Sequence, residues 1–238
     1  MVIRDASGPG KPNVRTIVLS DDRTRNALGL AVLGQLTGAV AGAGRRVVVI
    51  RSMGPAFCSG LNLKEIAAAG GAYRHLALLV DLFEAIARHP RQVISVVSGA
   101  ARGGGAALAW CCDMAIAVRG SDFMIPWGAG YRPLARVLIP LIAARRGLNR
   151  RELREMMGQV LSVDAALASG LIDMACEKAG AKLEIEDLLG HRSPFGDPKR
   201  GKRRLVDANV FREMRALARK ADTPRARAAL KAYLAARF

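Results

Sequence analysis

The amino-acid sequence predicts an α/β fold with parallel strand pairing, on three observations. Short β-branched or apolar runs at 46–50, 92–97 and 114–118 lack polar alternation and read as strands buried on both faces. Stretches between them repeat apolar residues at three- and four-residue steps, the helical period. Glycine-bearing loops join the two kinds of segment, as in strands linked by right-handed helical crossovers.

The elements follow in order. After a loose start rich in Gly and Pro (Gly8, Pro9, Gly10, Pro12), residues 14–19 read as a strand and 21–25 as a turn. A helix is expected over about 30–43, a strand over 46–50 and a glycine-containing loop over 54–60. From Tyr73 to Arg88, Leu76, Leu79, Val80, Phe83 and Ile86 recur at helical steps, and Pro90 stops the run. A strand at 92–97, a glycine-rich turn, a helix at 106–112 and a strand at 114–118 come next. Beyond Gly196 the character changes. Val206, Val210, Met214 and Leu217 form one amphipathic stripe, and Ala226, Leu230 and Tyr233 form another across Pro224. Neither helix can bury its stripe alone, so each needs the core or another subunit. The expected organisation is a core domain over 1–195 and a C-terminal helical oligomerisation region over 196–238.

Composition sets outer bounds. The chain has 238 residues, room for one sizeable core with an appended element. No apolar run approaches the roughly 18 residues of a bilayer span, because the segment around Trp110 is broken by Arg102 and Asp113. The first five residues lack the long apolar stretch of a secretory signal, so a cytoplasmic protein with no membrane partner is expected. Cys58, Cys111, Cys112 and Cys176 form no C-x-x-C pair, which argues for core thiols rather than disulfides or a metal site. The net charge is +17, and residues 197–238 hold 13 Lys/Arg against 4 Asp/Glu. Such a field attracts polyanions, or simply keeps an Ala-rich oligomer soluble. No aromatics interleave with the basic residues to stack bases, so nucleic acid is not the expected partner.

Two glycine-bearing loops, 56–65 and 98–107, each follow a buried strand and precede a helix. At a helix N-terminus the backbone N–H groups lack internal partners and carry the positive end of the dipole. Two such ends converging would bind an oxyanion, and glycine lets a ligand oxygen approach the backbone closely. Each loop alone is also ordinary punctuation between strand and helix. Neither fits G-x-G-x-x-G or the Gly-Lys-Ser/Thr phosphate loop.

Four segments carry a resemblance to the enoyl-CoA hydratase/isomerase (crotonase) superfamily: Arg23-Thr24-Arg25-Asn26-Ala27-Leu28, the loop from Ala56 to Glu65, the turn and helix from Ser98 to Asp113, and Gly158 to Ile172. Their order and spacing are what make the resemblance specific; it extends from about Asn13 to the C-terminus. It implies a crotonase-like spiral of ββα units, with C-terminal helices forming a homotrimer or a dimer of trimers. It also implies an acyl-CoA thioester as substrate, coenzyme A entering only as part of that substrate, with no separate cofactor and no metal. By similarity, the N–H groups of Leu61 and Gly104 form an oxyanion hole for the thioester oxygen, each donor contributing about 3–4 kcal/mol in enzymes where it has been removed. The CoA nucleotide is expected near Arg25, Ala27 and Leu28 and along the loop to Ser59 and Leu61. Arg25 reads equally as a solvated surface charge.

The resemblance also has gaps. The two glutamates with which hydratases of this family activate water fall, on ungapped alignment, at Ala107 and Trp127, and neither side chain moves a proton. Residues 123–127 resemble the 4-chlorobenzoyl-CoA dehalogenase branch, but its nucleophile position falls at Ala135. The expectation is therefore an acyl-CoA enzyme that stabilises a thioester enolate or oxyanion without ordinary hydration, as in decarboxylation or other lyase or isomerase chemistry. A non-catalytic acyl-CoA-binding relative is the alternative, and a basic RNA-binding relative a more distant one. Tyr131 and His75 are the candidate proton donors, although lone Tyr and His residues more often serve packing or sit on the surface. His89, beside Pro90, reads as a helix end, and His191 as part of a polar loop.

Overall fold

A six-stranded sheet in the order β1-β2-β3-β5-β7-β10 forms the spine of the computed structural model. The structure describes residues 1–8, 11–128, 130–177 and 206–235, with backbone alone over 2–8 and 11–12. β1 (Val2–Gly8) is antiparallel to β2 (Lys11–Leu19). β2 is followed in parallel by β3 (Val47–Ser52), β5 (Val93–Val97), β7 (Met114–Val118) and β10 (Met174–Cys176). Every residue of β5 and β7 is buried, as their uninterrupted apolar runs require.

Three of these strands are each extended by a three-residue strand in a second sheet. β3 leads to β4 (Ala56–Cys58), β5 to β6 (Ala100–Arg102) and β7 to β8 (Asp122–Met124). β4, β6 and β8 pair in parallel, and β9 (Leu161–Ser162) closes the set antiparallel to β8. A helix follows each short strand, which gives the repeating ββα unit. These are α2 (Leu63–Ala68), continued by α3 (Tyr73–Arg88), then α4 (Gly104–Cys111), and α5 (Arg132–Arg146). α1 (Leu30–Ala41) precedes β3, while α6 (Arg150–Met156) and α7 (Val163–Ala168) flank β9.

Several expectations need correction. The loose start is a strand pair, and the 54–60 loop contains β4. α5 was not among the expected helices, and it carries two prolines, Pro133 and Pro140. Pro133 occupies the first turn, where its missing N–H costs nothing, and Pro140 sits mid-helix with buried neighbours that hold it.

The two C-terminal stripes form α8 (Ala208–Ala221) and α9 (Pro224–Ala235). α8 packs on α5 and α3, burying Phe211, Met214 and Ala218 in the main core, and α9 packs on α2. Within this chain the stripes therefore find their partner surface in its own core. The boundary expected at 195/196 and His191 lie outside the described residues. All four cysteines are buried, and among the described residues no helix is long and apolar enough to cross a membrane.

Candidate functional site

The first wall is the loop after β4. Residues 24–28 lie along it like an added strand. Leu28 N–H donates to Gly60 O (2.7 Å), Asn62 N–H donates to Leu28 O (3.1 Å), and Ser59 N–H donates to Arg25 O (2.9 Å). In this parallel bridge between Leu28 and Leu61, both bonds belong to the flanking residues, so the Leu61 N–H faces away from the added strand. Asn26 fixes the pairing. It is buried with φ 57°, its Oδ1 accepts from Asp21 N–H (2.7 Å), and its Nδ2 donates to Ala56 O (3.0 Å) and Phe57 O (3.2 Å). Asn tolerates this left-handed backbone because its short polar side chain bonds locally.

The second wall is the turn after β6. Gly103, at φ 50° and ψ −117°, precedes α4 and provides no side-chain cap, while its N–H donates to Met124 O (2.8 Å). Gly104 then opens the helix, where a first-turn N–H has no intrahelical acceptor. Two glycines let the walls meet. A β-carbon on Gly60 (φ 87°) would lie 2.6 Å from Arg102 O and 3.1 Å from Gly104 N. One on Gly105 would lie 2.4 Å from Cys58 O. The nitrogen of Leu61 is 3.6 Å from the point where a Gly104 β-carbon would sit, so both N–H groups share one small region of wall.

That wall bounds a cavity of about 680 Å³. Its lining is dominated by Leu76, Leu79, Leu134, Leu138, Ile125 and Trp127. Among the described residues that line it, the ionisable ones are Tyr131, Tyr233 and Arg102; no Asp, Glu, His or Lys is among them. The two tyrosines meet edge to face, with centroids 4.6 Å apart, which brings α9 to the cavity beside the start of α5. Arg132 lies over the Trp127 ring, 5.8 Å from its centroid. Arg102 Nη1 forms an ion pair with Asp122 and donates to Ala101 O and Asp122 O, both at 3.2 Å. Among the described residues no group of three or more His, Cys, Asp or Glu is placed to hold a metal ion.

The residues expected from the sequence separate into two groups. Leu61, Gly104, Ser59, Tyr131, Trp127 and Ala135 line the cavity. Ala107 does not; it is fully buried inside α4, which is apolar all round. Arg25 is exposed, Ala27 half-buried and Leu28 fully buried, all three alongside the first loop rather than on the cavity wall. His75 is also off the wall. Its ring is wholly buried on α3, neither nitrogen has a hydrogen-bond partner among the described residues, and Nε2 stands 3.6 Å from Glu65 Oε1. Burial holds its pKa below the usual histidine value, and Glu65 opposes that shift. Glu65 is itself engaged, its Oε1 accepting from Leu30 N–H (3.1 Å) at the start of α1. His89 closes α3, with Nε2 2.8 Å from Arg46 O. Cys58, two residues from Gly60, is no nucleophile, since burial pushes its thiol up to about 12.

Arg102 and Tyr233 were not among the expected site residues. Arg102 stood in the glycine-rich turn without a distinguishing pattern, and Tyr233 stood in a C-terminal stripe. Nothing local shows that a residue 130 positions after Gly103 shares its cavity.

Comparison with known proteins places this geometry in a lineage. The enoyl-CoA hydratase/isomerase family pattern matches residues 10–187. The rat protein named enoyl-CoA hydratase domain-containing protein 3, mitochondrial, is 34% identical over 168 residues, 67% of this chain and 55% of that protein. The chain thus spans about half the length of the curated relatives it matches. The crystal structure of the human enoyl-CoA hydratase domain-containing protein 3 superimposes with a TM-score of 0.68 at 25% identity, covering 99% of this chain and 98% of that one. An enoyl-CoA hydratase from Bacillus halodurans has the same fold, with a TM-score of 0.75 at 16% identity over 97% of this chain and 99% of that one.

Proposed function

Because this chain belongs to the enoyl-CoA hydratase/isomerase family, we propose that it binds an acyl-CoA thioester and polarises the thioester carbonyl with the Leu61 and Gly104 N–H groups. One observation carries the reading. Two backbone donors with no acceptor among the described residues share the wall of an apolar cavity that no described carboxylate lines. Preorganised donors in a low-dielectric pocket stabilise the negative oxygen of an enolate or tetrahedral intermediate. Hydration also needs a group to activate water, and Ala107 and Trp127 supply none. The reaction we propose is accordingly an enolate-stabilised lyase or isomerase step. Tyr131 is the proton donor of choice, since it is a titratable residue that lines the cavity. Assembly as a homotrimer or dimer of trimers belongs to the same proposal and is read by light scattering.

The lack of a lining carboxylate equally supports a second reading, a non-catalytic acyl-CoA-binding protein. Isotope-edited infrared spectroscopy of a ¹³C-carbonyl thioester tests what both readings share. The carbonyl stretch should fall on binding, and a frequency equal to that in water would sink the polarising site. Tyr131→Phe separates them. With turnover present it should lower kcat about 100-fold or more while leaving the carbonyl shift in place.

A further inference from the structure

We infer, resting on the thioester reading above, that Leu134 sets the length of the acyl chain this site accepts, by walling off a second apolar cavity next to the first. The first turn of α5 stands between the two. Tyr131, Leu134, Ala135 and Leu138, at steps of three and four residues, bring one face of α5 to the first cavity. Leu134 also borders a separate cavity of about 340 Å³. Of the described residues, Gly130 and Leu134 alone border both, and Gly130 has no side chain with which to divide them. Gly130 sits close against α9, since a β-carbon there would lie 3.2 Å from Ala229 O and 3.5 Å from Tyr233 Cβ. Leu134, itself buried, is thus the side chain common to the two walls.

The second cavity lies among α2, the turn at 70–72, the start of α5, the end of α8 and α9, and Ile66, Ala72, Pro133, Ala226 and Leu230 are among its apolar lining residues. Asp222, the carboxylate among its described lining residues, is engaged, accepting from Ala72 N–H (3.0 Å) and Arg227 Nε (3.0 Å). A hydrocarbon chain gains about fourfold in affinity for each methylene it buries. An acyl chain extending from the thioester gains in this way until it meets Leu134, and carbons beyond that point stay in water and add nothing. Truncating Leu134 joins the second cavity to the first, so the gain resumes. Leu134 acts on chain length alone, without bearing on the thioester carbonyl.

Calorimetric titration of the full chain with CoA and the even-numbered saturated thioesters from butyryl- to hexadecanoyl-CoA tests this. In the wild type, affinity should rise about fifteenfold for every two carbons and then level off at one chain length. Leu134→Ala should move that length outward by at least two carbons. The same substitution at Leu138 is the control, because Leu138 lines the first cavity and not the second; it should move the length less. Circular dichroism checks that each variant is folded. Should Leu134→Ala fail to fold, Leu134→Val against Leu138→Val carries the test with the same expectation. Affinity that climbs without levelling in the wild type, a length unmoved by the folded Leu134 variant, or one moved no further than by its Leu138 counterpart overturns the inference while leaving the thioester reading intact. If neither CoA nor any of its thioesters binds, both fall.

Discussion

Gly60→Ala isolates the contact that brings the two N–H donors together. The added β-carbon would stand 2.6 Å from Arg102 O, and a relaxed carbon–oxygen contact needs about 3.3 Å, so the loops must part by about 0.7 Å. Neither partner can rotate aside, because the nearest atoms are backbone. Overpacking of this kind costs about 1–3 kcal/mol, and a non-glycine residue at φ 87° adds about 1–2 kcal/mol. A loss of about 3 kcal/mol corresponds to a melting point lowered by about 6–12 °C in a chain of this size. Gly120→Ala is the control. It has the same backbone angle, φ 88°, but nothing within 4 Å of its β-carbon, so it should show the backbone cost alone. Displacement on this scale also misaligns the donors and is expected to weaken carbonyl polarisation, because misplacement of about 1 Å costs on the order of 100-fold in well-oriented sites. The assays are thermal melting monitored by circular dichroism and the infrared shift of a bound thioester. Gly60→Ala melting no lower than Gly120→Ala, with the carbonyl shift retained, would refute the close packing of the loops.

Three further outcomes follow from individual side chains. Asn26→Ala strips partners from Asp21 N–H and two carbonyls of β4 and leaves alanine at φ 57°, so thermal melts should show a loss of about 3 kcal/mol; Asn26→Gly relieves only the backbone part and should fall between it and wild type. Asp113 accepts from Arg145 Nη2 (2.8 Å) and from Val93 N–H (2.8 Å), with the ion-pair side chains 3% and 4% exposed. Asp113→Ala should cost about 3–5 kcal/mol in denaturant unfolding, and adding Arg145→Met should recover more than half of it, since the penalty is mainly the stranded charge. The depressed pKa of His75 means that the unfolded chain takes up a proton that the fold refuses. Stability is complete above the ordinary histidine value near 6.5 and falls as pH drops below it, by up to about 1.4 kcal/mol per pH unit. His75→Leu should flatten that part of the profile, and an unchanged slope would show that His75 is not its source.

The large sheet and most of its helices were legible because their signals are local. A buried parallel strand reads as a continuous apolar run, so 46–50, 92–97 and 114–118 stand out from composition alone. α3 announces both ends, through its three-to-four-residue spacing and Pro90. The three-residue strands β4, β6 and β8 have no such signal. They exist because they pair with one another, and pairing is a property of chain segments 22 to 44 residues apart. α5 was not expected, and its prolines argue against a helix until packing against α4 and α8 supplies the compensation.

The candidate site divides along the same line. Sequence by itself determined the family resemblance, the two glycine loops, and the identities of Ala107 and Trp127 where a hydratase would place glutamates. Those are statements about residue types at given spacings, which folding does not alter. Only the tertiary structure decided that the loops meet, because that depends on missing β-carbons at Gly60 and Gly105 facing backbone from another unit. It alone put Tyr131 on the cavity wall and His75 behind it, and paired Arg102 with Asp122 across two strands. Which side chains share a cavity is fixed by packing between distant elements, and no local pattern in the chain records it.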